Sequence, residues 1–138
     1  GLAPLRALRR LSLQSNRLAE LGAGLAGLDR LEELYLSHNG LSSLAGVEAL
    51  VNLRILDVAA NRIASFEGLA GLARLTDFWA NDNAVESLDA VEDSLKPLRE
   101  TLTCVYLRGN PAAAHAQYKL RVRHLLPRLE QLDDSPLE

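Results

Sequence analysis

Leu34-Tyr35-Leu36-Ser37-His38-Asn39-Gly40-Leu41 decides how this chain folds, because it recurs. The same frame appears as Leu11, Leu13, Asn16, Leu18 and again as Leu56, Val58, Asn61, Ile63. It returns as Phe78, Ala80, Asn83, Val85, and a fifth time as Val105, Leu107, Asn110 followed by Pro111. The asparagines lie 23, 22, 22 and 27 residues apart. In an extended segment, residues two apart face the same way, so each apolar pair points inward as a short strand. The asparagine stands where the chain leaves the strand. Its amide can bond backbone groups that the bend leaves unpaired. Stacked in register, the copies predict a parallel sheet edged by an asparagine ladder.

Outward from the strands, the return segments step by threes. Leu44, Val47, Leu50, Leu53 form one row, and Phe66, Leu69, Leu72, Leu75 another. That spacing suits 3₁₀-like turns, in which residues i and i+3 eclipse. The fifth copy carries five extra residues between Val91 and Leu102, enough for a helical turn or two. From Ala112 to Leu126 the chain is helix-prone, with Tyr118, Val122 and Leu125 on one face, and Pro127 ends it. A period of about 22 identifies the chain as a member of the leucine-rich repeat class. The expected fold is an α/β solenoid: a right-handed curved stack with a parallel concave sheet, short 3₁₀ or helical convex segments and a C-terminal helical cap. Residues 1–111 are read as about five repeats, and 112–138 as the cap. The pattern is already running at Leu5, Leu8 and Leu11, so the chain is read as a fragment. An uncapped first repeat then predicts concentration-dependent self-association.

Composition agrees. Thirty-one of 138 residues are leucine, which suggests one structural slot filled repeatedly. Fifteen basic and 18 acidic residues leave a net charge of −3, so no basic field exists to attract nucleic acid. No apolar run approaches a membrane span, and no leader-like segment opens the chain. A single cysteine, Cys104, excludes an internal disulfide and favours an intracellular location, cytoplasm or nucleus.

Function must then lie in the residues between the leucines. The central concave row holds Ser12, Tyr35, Asp57, Trp79 and Tyr106. The row before it holds Arg10, Glu33, Ile55, Asp77 and Cys104; the row after it holds Gln14, Ser37, Ala59, Asn81 and Arg108. Strand alternation points all three rows to solvent. The central row collects the single tryptophan and two of three tyrosines, residues favoured at protein-binding hot spots. With Glu33, Asp57 and Asp77 alongside, it suits a protein partner of basic or mixed surface.

Catalytic readings have little to stand on. Asp57 and Asp77 lie on neighbouring strands of an open face without an enclosing pocket. Cys104 has no nearby histidine to activate it. His115 and His124 are not at helical metal-ligand spacing, and the glycines lack the lysine of a phosphate loop. No cofactor or metal site is expected. The basic residues Lys119, Arg121, Arg123 and Arg128 read as the solvated face of the cap.

The ordered series Leu34-Tyr35-Leu36-Ser37-His38-Asn39, Leu56-Asp57-Val58, Phe78-Trp79-Ala80-Asn81-Asp82-Asn83 and Val105-Tyr106-Leu107-Arg108-Gly109-Asn110-Pro111 closely resembles the leucine-rich regulatory subunit of type-1 protein phosphatase. Tyr118, Arg121, Leu125, Pro127, Leu129 and Leu132-Asp133 are similar to that family's cap. The resemblance implies a non-enzymatic protein that binds the phosphatase catalytic subunit through its concave face. It assigns the contact to Asp57, Asp77, Trp79 and Tyr106; Tyr35 joins them because it shares their row. Asp77 stands where the family typically has Glu, one methylene shorter. The family also has further repeats, so this segment lacks part of the expected interface. The alternative is an adaptor of the same class for a cytoskeletal, axonemal or ribonucleoprotein partner.

Overall fold

The computed structural model describes residues 6–136; Leu5 and both expected domain ends, residues 1–5 and 137–138, lie outside them. Five three-residue strands form in chain order: β1 (Arg10–Ser12), β2 (Glu33–Tyr35), β3 (Ile55–Asp57), β4 (Asp77–Trp79) and β5 (Cys104–Tyr106). Each pairs in parallel with the next, in the register the repeat predicts: Leu11, Leu34, Leu56, Phe78 and Val105 stand side by side. From β2 onward these central residues are fully buried. Each such side chain contributes roughly 1.5–3 kcal/mol by leaving water, and its apolar neighbours sit in adjacent coils.

The asparagine ladder forms as the spacing predicts. The Asn61 amide donates to the carbonyls of Leu36 at 3.0 Å and Val58 at 2.9 Å, while its oxygen accepts from the Leu41 N–H. Asn39, Asn83 and Asn110 repeat this arrangement one coil over. The residue before each ladder asparagine is left-handed: Ser15, His38, Ala60 and Asp82 have φ between 55° and 59°. That conformation aims each N–H at a carbonyl of the next coil, as in His38 to Ala59 at 3.0 Å.

The step-of-three rows are chains of i+3 hydrogen bonds. Val47 donates to Leu44, Leu50 to Val47 and Leu53 to Leu50, at 3.0–3.1 Å. The turns therefore run through the buried residues, and eclipsing keeps those side chains on the core. The extra residues of the fifth copy build helix α1 (Leu88–Leu95) and a 3₁₀ turn, Lys96–Leu98. Ser87 caps α1 by accepting from the Ala90 N–H, and Leu88, Val91 and Leu95 are buried.

The cap departs from expectation in two ways. The helix-prone stretch is divided into a 3₁₀ turn, Pro111–Ala114, and helix α2 (Tyr118–Leu125). Beyond Pro127 the chain rejoins the sheet: β6 (Gln131–Leu132) extends it in parallel, and β7 (Ser135–Pro136) folds back antiparallel. Asp133 ends the ladder. At Leu13, Leu36, Val58 and Ala80 the N–H reaches a backbone carbonyl on the next strand; at Leu107 it reaches the Asp133 carboxylate, at 2.7 Å. The same oxygen accepts from Arg108 N–H at 2.9 Å, and its partner accepts from the Tyr118 hydroxyl at 2.9 Å. A carboxylate can take these donors because it needs no further strand to supply it. No helix among the described residues is long and apolar enough to cross a membrane.

Candidate functional site on the concave face

Tyr35, Asp57, Trp79 and Tyr106 occupy one row across β2 to β5, since each is the register partner of the next. Asp77 sits two residues before Trp79, beside Ile55 and Cys104. The structure thus brings all five expected residues onto one face. It corrects their exposure. Asp57 and Ser37 are each only 8% exposed. Tyr35, Asp77, Trp79 and Tyr106 are half-buried. Alternation sets direction, but how much of each side chain stays in water depends on its neighbours on the concave face.

The aromatic rings form a continuous strip. Tyr35 and Trp79 have centroids 6.2 Å apart, as do Trp79 and Tyr106. Both gaps fall within the range at which ring pairs attract. The Tyr35 hydroxyl donates to Glu33 at 2.6 Å, and Arg10 pairs with the same carboxylate at 3.1 Å. The Tyr35 hydrogen bond, then Arg10, holds Glu33 below the usual carboxylate range; the same hydrogen bond, then burial, raises the Tyr35 phenol. At the other end Gln131 donates to the Tyr106 hydroxyl at 2.8 Å.

Asp57 lies in the same row, on the strand between Tyr35 and Trp79. It accepts from the Ala59 N–H at 3.0 Å. Burial raises its pKa, against opposing pulls from that N–H and from His38. The Trp79 indole N–H is buried and finds no acceptor among the described residues. A desolvated carboxylate and an unpaired buried N–H each cost stability where they stand. Trp79 and Tyr106 border an open groove of about 380 Å³ that also takes in Asp57, His38, Arg108 and Asp134. Arg108 is neutralised by an ion pair with Asp134, so the groove keeps an acidic character.

Other candidates resolve simply. Cys104 is half-buried, and burial followed by the charge of Asp77 raises its pKa, the reverse of an activated thiol. No cluster of three His, Cys, Asp or Glu side chains fit for a metal occurs among the described residues. Arg121 is not simply part of a solvated face. It pairs with Asp89 and Glu92 on α1, tying the cap to the last repeat. Sequence reasoning missed Gln131 and Asp133 as partners of the sheet. The signal was present in Leu129-Glu130-Gln131-Leu132, which repeats the frame of Leu31-Glu32-Glu33-Leu34, the lead-in to a strand.

A parallel concave sheet, an asparagine ladder and buried leucine turns define a leucine-rich repeat protein. Two copies of the leucine-rich repeat model match at residues 6–47 and 29–71. Within the class, the chain is similar to a protein phosphatase 1 regulatory inhibitor subunit homolog of Arabidopsis thaliana, with 47% identity over 96 residues. The resemblance to the phosphatase regulatory subunits therefore stands. The match covers 70% of this chain and 29% of that protein. The chain is also 34% identical over 137 residues to the centrosomal protein of 72 kDa of mouse, covering 99% of this chain and 18% of that one. It thus spans under a third of either relative. Among solved structures, an internalin of Listeria monocytogenes superimposes with a TM-score of 0.82 at 25% identity, over 99% of this chain and 37% of that one. The Drosophila SNF/U2A′ complex gives 0.79 at 26%, over 94% and 74%.

Proposed function

We propose that this chain is part of a non-catalytic, intracellular regulatory scaffold that binds the catalytic subunit of type-1 protein serine/threonine phosphatase through its concave face. The reading rests on the 47% identity to a phosphatase regulatory subunit homolog, over a stretch of 96 residues. The concave face supports it physically. Tyr35, Trp79 and Tyr106 present a continuous aromatic strip with carboxylates on either side, and such rings dominate protein-binding energetics. Arginine or lysine side chains of a partner could lie on these rings and gain cation–π attraction. The test is capture of the phosphatase by the wild-type chain and by a Trp79→Ala, Asp57→Ala double variant. Loss of a central aromatic should cost about 2 kcal/mol or more of binding. Undiminished capture by the double variant would remove the concave-face assignment.

A second reading is an adaptor of the same repeat class for a cytoskeletal partner. It is favoured by the match to the mouse centrosomal protein, which spans 99% of this chain. Unbiased identification of proteins retained by the immobilised chain separates the two: phosphatase catalytic subunit supports the first, cytoskeletal proteins without phosphatase the second.

A further inference from the structure

The two tyrosines of the aromatic strip are held at opposite ends by residues that lie outside the strip. Glu33 accepts the Tyr35 hydroxyl at 2.6 Å and is itself held by Arg10. Gln131 donates to the Tyr106 hydroxyl at 2.8 Å, and a second bond from the same amide to the Asp133 carbonyl at 3.0 Å fixes its orientation. Trp79 lies beside both rings, and its indole N–H finds no acceptor among the described residues. Its position therefore depends on the rings beside it, and theirs on Glu33 and Gln131. Both phenol hydroxyls already have internal partners, which leaves the ring faces as the surface presented to a ligand.

We propose that Glu33 and Gln131 are positioning residues that clamp Tyr35, Trp79 and Tyr106 into a preorganised platform. This rests on the concave strip being the partner-binding surface. It makes the cap a component of the site, because Gln131 lies on β6. A platform ordered in advance avoids the entropy cost of fixing three large side chains at the moment of binding.

Trp79 is the only tryptophan, so its fluorescence reports the platform directly. Glu33→Ala and Gln131→Ala should each raise acrylamide quenching of Trp79 and weaken near-ultraviolet dichroism while far-ultraviolet dichroism stays constant. Each should weaken phosphatase binding by about five- to tenfold, the effect of losing one hydrogen bond that orders the site. Glu33→Gln keeps an oxygen that can accept the Tyr35 hydroxyl and should stay close to wild type. A loss with Glu33→Gln equal to that with Glu33→Ala would show that the charge contacts the partner directly, and would overturn positioning. Tyr106→Phe removes only the hydroxyl and should reproduce Gln131→Ala. Unchanged quenching in both alanine variants would overturn the clamp, as would altered quenching with unaltered affinity. If wild-type chain captures no phosphatase, the fluorescence results still decide the clamp, and the proposed function alone falls.

Discussion

Tyr35 and Trp79 lie two strands apart, yet their rings meet with centroids 6.2 Å apart across the strand that carries Asp57. Their backbones are separated by about 9.6 Å at the usual strand spacing, so the rings must lean towards each other to close that distance. Asp57, on the strand between them and expected in solvent, is only 8% exposed. The candidate site therefore sets a desolvated carboxylate in the same row as its aromatic rings, lining the groove beside them.

Desolvation sets how Asp57 affects stability. Burial raises its pKa above the unfolded value of about 3.9, so the folded state holds the proton more tightly than the unfolded state. Its stabilising contribution is full below the unfolded pKa and is lost as pH rises through the folded pKa. At pH 7 the ionised form is a liability. Asp57→Asn keeps an oxygen that can accept from the Ala59 N–H and removes the charge. Denaturant unfolding should show the variant more stable than wild type at neutral pH. That advantage should shrink as pH falls towards the ordinary carboxylate range. An equal difference between the two chains at pH 7 and pH 4 would contradict it.

The ladder asparagines should differ in worth by position. Asn61 is 9% exposed and satisfies the carbonyls of Leu36 and Val58 and the N–H of Leu41. Asn61→Ala takes one donor from each carbonyl, though Leu36 keeps Asn39 and Val58 keeps Asn83, and it leaves the Leu41 N–H buried and unpaired, so it should cost about 1–3 kcal/mol. Asn16 is exposed and bonds only the carbonyls of Leu13 and Gln14, both within its own coil. Asn16→Ala should cost under about 1 kcal/mol in the same denaturant series.

Asp133 should be among the most sensitive polar positions. Asp133→Ala removes the acceptor for the N–H groups of Leu107 and Arg108 and for the Tyr118 hydroxyl. Hydrogen bonds to a charged acceptor contribute about 1.5–3 kcal/mol each, so a loss of roughly 3 kcal/mol or more is expected. Tyr118→Phe removes one of the three and should lose less. Thermal unfolding of the two variants and their combination measures the order. A double variant no worse than Asp133→Ala would show that Tyr118 acts through Asp133.

Gly109 tests a steric requirement. In the earlier coils the same position accepts Ser, His, Ala and Asp near φ 57°, but Gly109 sits at φ 87°. A Cβ there would come within 2.1 Å of the Asp82 carboxylate and 3.0 Å of its backbone nitrogen. Gly109→Ala should therefore destabilise by about 1–3 kcal/mol. Combining it with Asp82→Ala should recover part of the loss, because the side-chain clash goes and the backbone strain stays.

Much of this molecule was legible in the chain because a solenoid makes the same contact many times. Each apolar pair meets the equivalent pair one coil away, so five copies of Leu-x-Leu-x-x-Asn specify strand, register and ladder. Leu44, Val47, Leu50 and Leu53 likewise announce a row of i+3 turns. The concave rows followed from alternation, which placed Tyr35, Asp57, Asp77, Trp79 and Tyr106 on one face.

What periodicity could not convey are contacts made once. Tyr35 and Trp79 meet across the Asp57 strand because the residues on three successive strands differ in size, and the repeat does not encode that. Arg121 finds Asp89 and Glu92 across a junction that occurs nowhere else in the chain. Gln131 lies on a two-residue strand and Asp133 just beyond it, where no asparagine frame follows, yet Asp133 closes the ladder and Gln131 holds Tyr106. The thirty-one leucines specify a stack of coils through nearest-neighbour burial. The order of its aromatic surface and the ending of its sheet arise from side chains distant in sequence, and only folding brings those together.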